Sequence, residues 1–247
     1  MIESDLLAYI TGFFIFYRWH PEVALRYLPI VDSIKKLPGN PSILDVGSGG
    51  LGIAPYIRRP VTGLDIEFYP PYHPNLKQVK GSAIGIPFPD NSYDVVVSTD
   101  TLEHISTGNR SKAVEEMMRV AKKMFFIGVP AGKKAQEQDE RLDYEYERIH
   151  HKHYHFLQEQ IGLGLPSLEE ILKEIKNASL VTHKKVEINI IGNESLKIRE
   201  VLMQGWMSKN PLKAIFYRKV MLFLIPFLRR RNEEPVYRKI FQVSILP

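Results

Sequence analysis

Between residues 43 and 129, short apolar and β-branched runs alternate with glycine-rich turns and helical stretches, and this alternation limits the possible folds more than any other feature. The predicted strands are Ile43–Val46, Val61–Leu64, Val79–Lys80, Tyr93–Val97 and Phe125–Val129, and a helix is predicted at Ala113–Lys123. Strands that alternate with helices are joined by crossover connections, which place them parallel in one sheet with helices on both faces. The sequence therefore predicts an α/β fold with a doubly wound, mostly parallel sheet.

The segments on either side of this region are predicted from their caps and periodicity. Residues 6–17 and 21–36 indicate two helices, the second with Pro21 in its first turn. Residues 131–166 are polar and predict an excursion over one end of the sheet. Further on, the pattern predicts a helix at 167–176, a strand at 181–191, helices at 195–208 and 211–231, and a strand at 237–245. At 247 residues with 44% hydrophobic content, the chain is expected to form one domain.

The first predicted strand runs directly into a glycine turn, with Gly47, Gly49 and Gly52 ahead of a helix. Glycine permits positive φ and lets backbone N–H groups approach a ligand. The spacing also fits the dinucleotide fingerprint, and Asp65 follows at the distance expected for a ribose ligand. Asp45 distinguishes a dinucleotide from a cationic ligand. A carboxylate at this position would repel a pyrophosphate but suits an ammonium or sulfonium group. S-adenosylmethionine carries both of these cations.

Five motifs follow one another in the same part of the chain. They are Leu-Asp-Val-Gly-Ser-Gly-Gly (44–50), Gly-Leu-Asp-Ile (63–66), the run from Gly81 to Ser98, Leu-Glu-His-Ile (102–105) and Glu-Met-Met-Arg-Val-Ala-Lys-Lys (116–123). In order and spacing they resemble the class I S-adenosylmethionine-dependent methyltransferases of the small-molecule type, over about residues 40–130. The resemblance implies a Rossmann-like, seven-stranded sheet that closes with an antiparallel hairpin of its last two strands.

The resemblance also implies a role for each residue around the cofactor. The methionine end would be held by Asp45, Gly47, Ser48 and Gly49, the ribose by Asp65, one adenine face by Ile66, and the adenine edge by Ser82 and Ala83. The floor beneath the sulfonium would extend from Thr99 to Leu102. Position 82 is Ser where the family commonly has Asp. On this basis the single domain, 1–247, divides into N-terminal helices (1–40), a cofactor-binding core (41–130), a substrate-side excursion (131–166) and a helical insertion between the last two strands (192–235).

The chain contains no cysteine, which excludes thiolate nucleophiles, disulfides, iron–sulfur clusters and cysteine-ligated zinc. In-line methyl transfer needs alignment and exclusion of water rather than a protein nucleophile. A base is useful when the acceptor is a hydroxyl. His104 follows the fourth predicted strand, at the sheet edge where ligands bind in doubly wound folds. It is therefore the candidate catalytic base; the alternative is a structural residue in the first turn after the strand.

Residues 150–155 contain four histidines. At a period of two, His151, His153 and His155 would share one face of an extended segment, where they could line a pocket or bind a metal. The alternative is a solvated loop. Because no carboxylate or thiolate is fixed beside them by spacing, we expect no metal site.

The net charge of +5 comes from one segment. Eleven Lys and Arg residues, but only three Glu, lie between Lys197 and Lys239, whereas the rest of the chain is mildly acidic. Three interpretations are open for the basic, apolar-cored part at 211–231. The first is a solvated helix pair whose Lys and Arg side chains extend from a packed apolar face to water. The second is a segment that lies in an anionic membrane interface, and the third is a surface that binds the nucleic-acid backbone.

The acceptor is predicted to be a small molecule or a lipid- or glycan-linked group. The fourth strand ends Ser98-Thr99-Asp100-Thr101, unlike the Asn/Asp-Pro-Pro-aromatic tetrapeptide of enzymes that methylate exocyclic amines of bases, so nucleic acid is less favoured. The alternatives are an RNA methyltransferase that uses the basic segment, a nicotinamide-dependent oxidoreductase, and a non-catalytic binding module. Glu3 and Asp5 precede the short apolar run Leu6–Tyr17, the wrong charge for a signal peptide. We expect a cytoplasmic protein, with peripheral membrane contact through 211–231 as an option.

Overall fold

The computed structural model describes residues 16–247, without the side chains of Arg218 and Lys219. The strands are β1 (Ile43–Val46), β2 (Val61–Asp65), β3 (Leu76–Lys80), β4 (Tyr93–Thr99), β5 (Ala121–Pro130), β6 (Val186–Ser195) and β7 (Val236–Ile245). In this part of the chain they form one seven-stranded sheet in the order β3-β2-β1-β4-β5-β7-β6. The first five are parallel to one another, and β7 lies antiparallel between β5 and β6. The predicted doubly wound, mostly parallel sheet is confirmed.

Helices cover both faces of this sheet. They are α1 (Pro21–Lys35), α2 (Ala54–Ile57), α3 (Thr107–Val120), α4 (Lys133–His150), α5 (His155–Leu163), α6 (Leu168–Val181), α7 (Leu196–Met207), α8 (Pro211–Ile215) and α9 (Met221–Leu228). A 3₁₀ turn, Leu102–His104, follows β4, and a π-helical turn, Phe216–Val220, joins α8 to α9. None of the helices in residues 16–247 is both long enough and apolar enough to cross a bilayer.

The two faces of the sheet carry separate hydrophobic cores. Val95 and Val97 point into one core with α1, α2, α7 and α9, and Val96 points into the other with α3 and α6. Successive strand residues face opposite sides of a sheet, so the continuous apolar run of β4 needs helices on both sides. Each fully buried valine contributes roughly 1.5–3 kcal/mol relative to exposure. This two-sided burial explains why the central strands were the easiest elements to predict.

Several predicted boundaries are wrong, among them those of three elements. The predicted helix at 113–123 stops at Val120, because Ala121 already pairs with Tyr93 as the first residue of β5. The predicted strand at 181–191 is shifted, because α6 continues to Val181 and β6 begins at Val186. The predicted helix at 211–231 is divided by the π-helical turn and its last helix ends at Leu228.

The polar excursion at 131–166, for which no helix was predicted, contains the two helices α4 and α5. The predicted helix at 6–17 falls almost wholly on residues 1–15, outside the described residues. The helix predicted at 167–176 begins where expected, with Ser167 as its N-cap. The Ser167 hydroxyl accepts from the Glu170 amide, and the Glu170 carboxylate accepts from the Ser167 amide. Residues 196–235, which contain α7, α8 and α9, lie between β6 and β7.

Candidate functional site

A glycine turn follows β1 at the carboxyl edge of the sheet. Gly47 has φ +75° and Gly49 has φ +54°, in the left-handed region that favours glycine. A Cβ at Gly47 would lie 2.2 Å from Oγ1 of Thr101, so the turn packs directly against the segment that follows β4. A Cβ at Gly49 would meet no atom within 4 Å. The turn is therefore closed towards β4 and open above Gly49, where a ligand can approach the backbone.

Two carboxylates contact this turn and the helix that follows it. Asp45 in β1 is fully buried, and its Oδ2 accepts from the Ile53 amide at 2.7 Å. Its Oδ1 is also buried and has no hydrogen bond of normal length and angle among the described residues. Asp65, at the end of β2, accepts from the Gly49 amide at 2.7 Å. The turn is thus bordered by one buried and one half-buried carboxylate.

The burial of Asp45 makes its ionised form costly. Burial raises the pKa of Asp45 to about 7, although the Ile53 amide and the Tyr27 hydroxyl lower it, and the charge of Asp65 adds to the rise. A cation beside Oδ1 would favour the carboxylate, whereas a pyrophosphate would be repelled. The electrostatics of the turn therefore fit the ammonium and sulfonium groups of S-adenosylmethionine.

An exposed apolar side chain lies next to these carboxylates. Ile66, directly after Asp65, is 75% exposed. The Gly81 amide donates to the Asp65 carbonyl at 3.0 Å, so Ser82 and Ala83 follow β3 at the same edge of the sheet, and both are partly exposed. An apolar side chain bordered by accessible backbone suits a flat ring such as adenine.

The end of β4, predicted to form the floor beneath the sulfonium, lies at the same edge of the sheet. Val46 pairs with Ser98 across the sheet, so Thr99 extends one residue beyond the end of β1. Thr99 and Leu102 are both buried. The predicted cofactor residues thus lie at the ends of four neighbouring strands, in the spatial order β3, β2, β1 and β4. This placement could be predicted because the carboxyl ends of parallel strands meet at one edge.

His104, the predicted base, lies at the end of the 3₁₀ turn after β4. Its Nδ1 is 2.8 Å from Oε2 of Glu159 on α5, and its ring packs edge-on against Phe156. A neutral imidazole that donates from Nδ1 to a carboxylate presents Nε2 as an acceptor. Sequence reasoning missed Glu159, because 55 residues separate it from His104 and no helix was predicted in its segment.

The predicted histidine face is wrong. His151 has φ +57° and caps α4, and only residues 151–154 lie between α4 and α5, so residues 150–155 are not an extended segment. His150 donates from Nε2 to the Met207 carbonyl at 2.8 Å, whereas Nδ1 of His153 lies 2.8 Å from Oδ2 of Asp143. His150 thus links α4 to α7, and His153 holds the turn after α4 against that helix. In residues 16–247, no group of three His, Asp or Glu side chains is arranged to hold a metal ion.

A buried ionic network, which sequence reasoning also missed, lies beside the end of β4. Arg238 on β7 is fully buried and contacts Asp100 through two nitrogens at 2.5 Å. Arg238 also contacts Glu22 at 3.1 Å and Glu194 at 3.2 Å, while Arg26 contacts Asp100 at 2.8 Å. Burial by itself would raise the pKa of Glu22, but the two guanidinium groups lower it to about 2. The network ties α1, β4, β6 and β7 together at the edge that carries the site.

Glu103 lies between the floor residue Leu102 and His104, and it is fully buried. Neither of its carboxylate oxygens has a hydrogen-bond partner among the described side chains and backbone. Burial and the neighbouring charge of Asp100 raise the pKa of Glu103 well above its usual range, against the opposing effect of Arg238. The site therefore favours Glu103 as a neutral acid.

Residues 44–124 match a known protein family, which is described as a methyltransferase domain. Curated proteins give no match to the chain.

Solved structures share the fold. Phosphoethanolamine N-methyltransferase 2 of Haemonchus contortus, in complex with phosphomonomethylethanolamine and S-adenosylhomocysteine, has a TM-score of 0.52 and 17% identity, covering 89% of this chain and 52% of that one. A candidate methyltransferase from an antibiotic biosynthesis pathway of Anabaena variabilis has a TM-score of 0.51 and 17% identity, covering 90% and 100%. A complex of the Haloferax volcanii Trm112 methyltransferase activator with a candidate methyltransferase has a TM-score of 0.50 and 13% identity, covering 90% of each chain. At such identities the similarity extends to the fold.

Proposed function

A methyltransferase domain family matches residues 44–124, and from that premise we propose that the chain is a class I S-adenosylmethionine-dependent methyltransferase. We propose further that it methylates a small-molecule or lipid- or glycan-linked acceptor held beside His104. The observation that carries the proposal is the glycine turn, open above Gly49 and bordered by Asp45 and Asp65. A dinucleotide would bring a pyrophosphate to the same turn, where the carboxylate of Asp45 opposes it. The cationic methionine end of S-adenosylmethionine would stabilise the ionised carboxylate of Asp45, which burial otherwise disfavours.

The residues at the ends of β1 to β4 would hold S-adenosylmethionine along its length. Asp45, Gly47, Ser48 and Gly49 would bind the methionine end, Asp65 the ribose, Ile66 the adenine face, and Ser82 and Ala83 the adenine edge. When bound, S-adenosylmethionine supplies an electrophilic methyl group to the acceptor nucleophile. The buried Thr99 and Leu102 would exclude water beneath it. Positioning of two reactants in this way accounts for roughly 7–11 kcal/mol of a barrier.

His104 would act as general base towards a hydroxyl acceptor. Its Nε2 would take the proton of the hydroxyl group that is methylated. The carboxylate of Glu159 would stabilise the resulting imidazolium through Nδ1. Glu159 also fixes which nitrogen carries the proton in the resting state. His104 is thus the proposed catalytic residue, and Glu159 is a positioning residue that acts through it.

Titration calorimetry with S-adenosylhomocysteine tests the cofactor site without knowledge of the acceptor. Asp65→Asn should weaken binding at least tenfold, because it removes the proposed ribose contact. Glu67→Gln is the matched control, since this exposed carboxylate lies two residues away and should leave binding unchanged. Failure of the wild-type protein to bind either S-adenosylmethionine or S-adenosylhomocysteine would refute the proposal.

Transfer of tritium from methyl-labelled S-adenosylmethionine to a panel of phenols, aliphatic alcohols and extracted lipids identifies the acceptor class. With an acceptor in hand, His104→Ala should lower kcat by roughly 10²–10⁴-fold with little change in KM for S-adenosylmethionine. Glu159→Gln should lower kcat less and shift the pH profile. His155→Ala, on the same helix as Glu159, is the control. An unchanged kcat in His104→Ala would contradict the role of the base.

A further inference from the structure

Large apolar side chains are exposed along the helical segment from residue 212 to residue 227. Six of them, exposed by 43% to 75%, form what we call the apolar ridge: Leu212, Ile215, Phe216, Val220, Phe223 and Phe227. Apart from the neighbours Ile215 and Phe216, they recur at intervals of three to four residues through α8, the π-helical turn and α9, which places them on one side of the segment. An exposed set of this size on a folded protein marks an interaction surface.

The opposite side of the same segment is already packed. Tyr217, Met221, Leu222 and Ile225 are buried in the core that contains α1. A helix that is apolar all round normally has partners on all sides, whereas a surface helix is polar on its outer face. Phe16 contacts the ridge edge-on at Phe223, but the Phe223 side chain remains 67% exposed. The outer face of this segment therefore lacks a covering partner among residues 16–247.

Positive charges border the ridge at both ends. No Asp or Glu occurs between Glu200 and Glu233, and the cations in this stretch are Lys209, Lys213, Arg218, Lys219, Arg229, Arg230 and Arg231. Arg229 pairs with Asp32 of α1, whereas Arg230 and Arg231 are exposed at the end of the ridge. Apolar side chains flanked by Lys and Arg match a bilayer interface, with an acyl layer beneath anionic headgroups.

We propose that the apolar ridge docks on an anionic lipid surface, with its Leu, Ile and Phe side chains at the acyl boundary and Arg230 and Arg231 among the headgroups. A nucleic-acid backbone would pair with the cations but would leave the aliphatic Leu212 and Ile215 without a partner. A symmetric contact between two copies of the chain would bring their cationic ends into mutual repulsion. A lipid surface satisfies both kinds of side chain. It is also where a lipid-linked acceptor, one of the acceptor classes proposed above, would be met.

Co-sedimentation with vesicles tests this docking independently of methyl transfer. The full chain should bind vesicles of mixed phosphatidylcholine and phosphatidylglycerol more tightly than vesicles of phosphatidylcholine alone. The double variant Phe223→Ser/Phe227→Ser should weaken binding at least tenfold. The double variant Arg230→Ser/Arg231→Ser should weaken binding to the anionic vesicles about tenfold and remove the preference for them. The matched control is Leu180→Ser/Val181→Ser, two exposed apolar residues on α6, which packs on the other face of the sheet.

Unfolding and association measurements on the same variants identify any other occupant. If lipid is the occupant, Phe223→Ser/Phe227→Ser leaves the urea midpoint unchanged. A marked fall in that midpoint without vesicle binding would overturn the proposal in favour of coverage by the chain's own residues 1–15. Loss of a wild-type dimer in sedimentation would overturn it in favour of a second copy. Salt-sensitive binding of single-stranded RNA that the phenylalanine changes do not affect, in place of vesicle binding, would overturn it in favour of nucleic acid.

Discussion

Replacement of Asp45 by Asn is expected to stabilise the ligand-free protein and to weaken its binding of S-adenosylmethionine. The side chain of Asp45 is fully buried, and only Oδ2 has a hydrogen bond of normal geometry, from the Ile53 amide. An asparagine can keep that bond through its carbonyl oxygen, but it has no charge to be buried. It also lacks the charge that would pair with the methionine end of the cofactor.

The size of the effect follows from the pKa of this carboxyl. Burial raises the pKa of Asp45 from 3.8 to about 7, and each unit corresponds to 1.36 kcal/mol. The ionised side chain therefore costs at most about 4 kcal/mol of folding free energy above pH 7. Because the folded pKa is raised, the protonated form favours folding below pH 4, and this contribution is lost as the pH rises towards 7. The free energy of unfolding of Asp45→Asn should therefore exceed that of the wild type by almost nothing at pH 4 and by about 1–3 kcal/mol at pH 8. This difference is smaller than the full cost of the charge, because the asparagine buries amide N–H groups without partners.

Urea unfolding at intervals between pH 4.5 and pH 8 measures this difference. Asp94→Asn is a control of opposite sign, because the Lys123 ammonium and the Ser42 amide lower the pKa of Asp94 to about 2. That variant should lose stability at neutral pH and recover only in acid. Equal stability of Asp45→Asn and the wild type at pH 8, or a difference that does not change with pH, would refute the account of Asp45. A stabilised variant that binds S-adenosylmethionine as tightly as the wild type at pH 7 would refute its role in the cofactor site.

Three further substitutions test other parts of the site. Gly47→Ala should abolish S-adenosylhomocysteine binding in calorimetry and lower stability more than Gly49→Ala, because its Cβ would clash with Thr101 whereas that at Gly49 meets no atom. Arg238→Met should lower the free energy of unfolding by about 3–5 kcal/mol at pH 7 in urea titrations, since the buried Glu194 loses its ion pair and Asp100 and Glu22 keep only Arg26. Glu103→Gln should leave the thermal midpoint unchanged or higher at pH 7, because the site favours the neutral acid; a large fall would show that this side chain is ionised.

The parts of the molecule that sequence reasoning located correctly have local causes. The bounds of β1 are as predicted, because its apolar run is short, buried on both faces and ended by Gly47. Helices α4 and α5 were missed because much of what they bury is polar. Asp139 on α4 is fully buried against Arg199, and Gln160 on α5 donates to it at 2.6 Å. The spacing of apolar residues does not reveal a helix face that packs through charged and amide side chains.

The sequence by itself determined which edge of the sheet carries the proposed cofactor residues. Glycine at positive φ is a property of single residues, and the rule that parallel strands present their carboxyl ends together needs only the order of the elements. Tertiary structure alone decided what those residues meet. Glu159 reaches His104 across 55 residues and Arg238 reaches Asp100 across 138, and the packing of α9 on α1 decides which side of residues 212–227 is left exposed. Such pairings depend on the relative placement of whole elements, which no local pattern in the chain specifies.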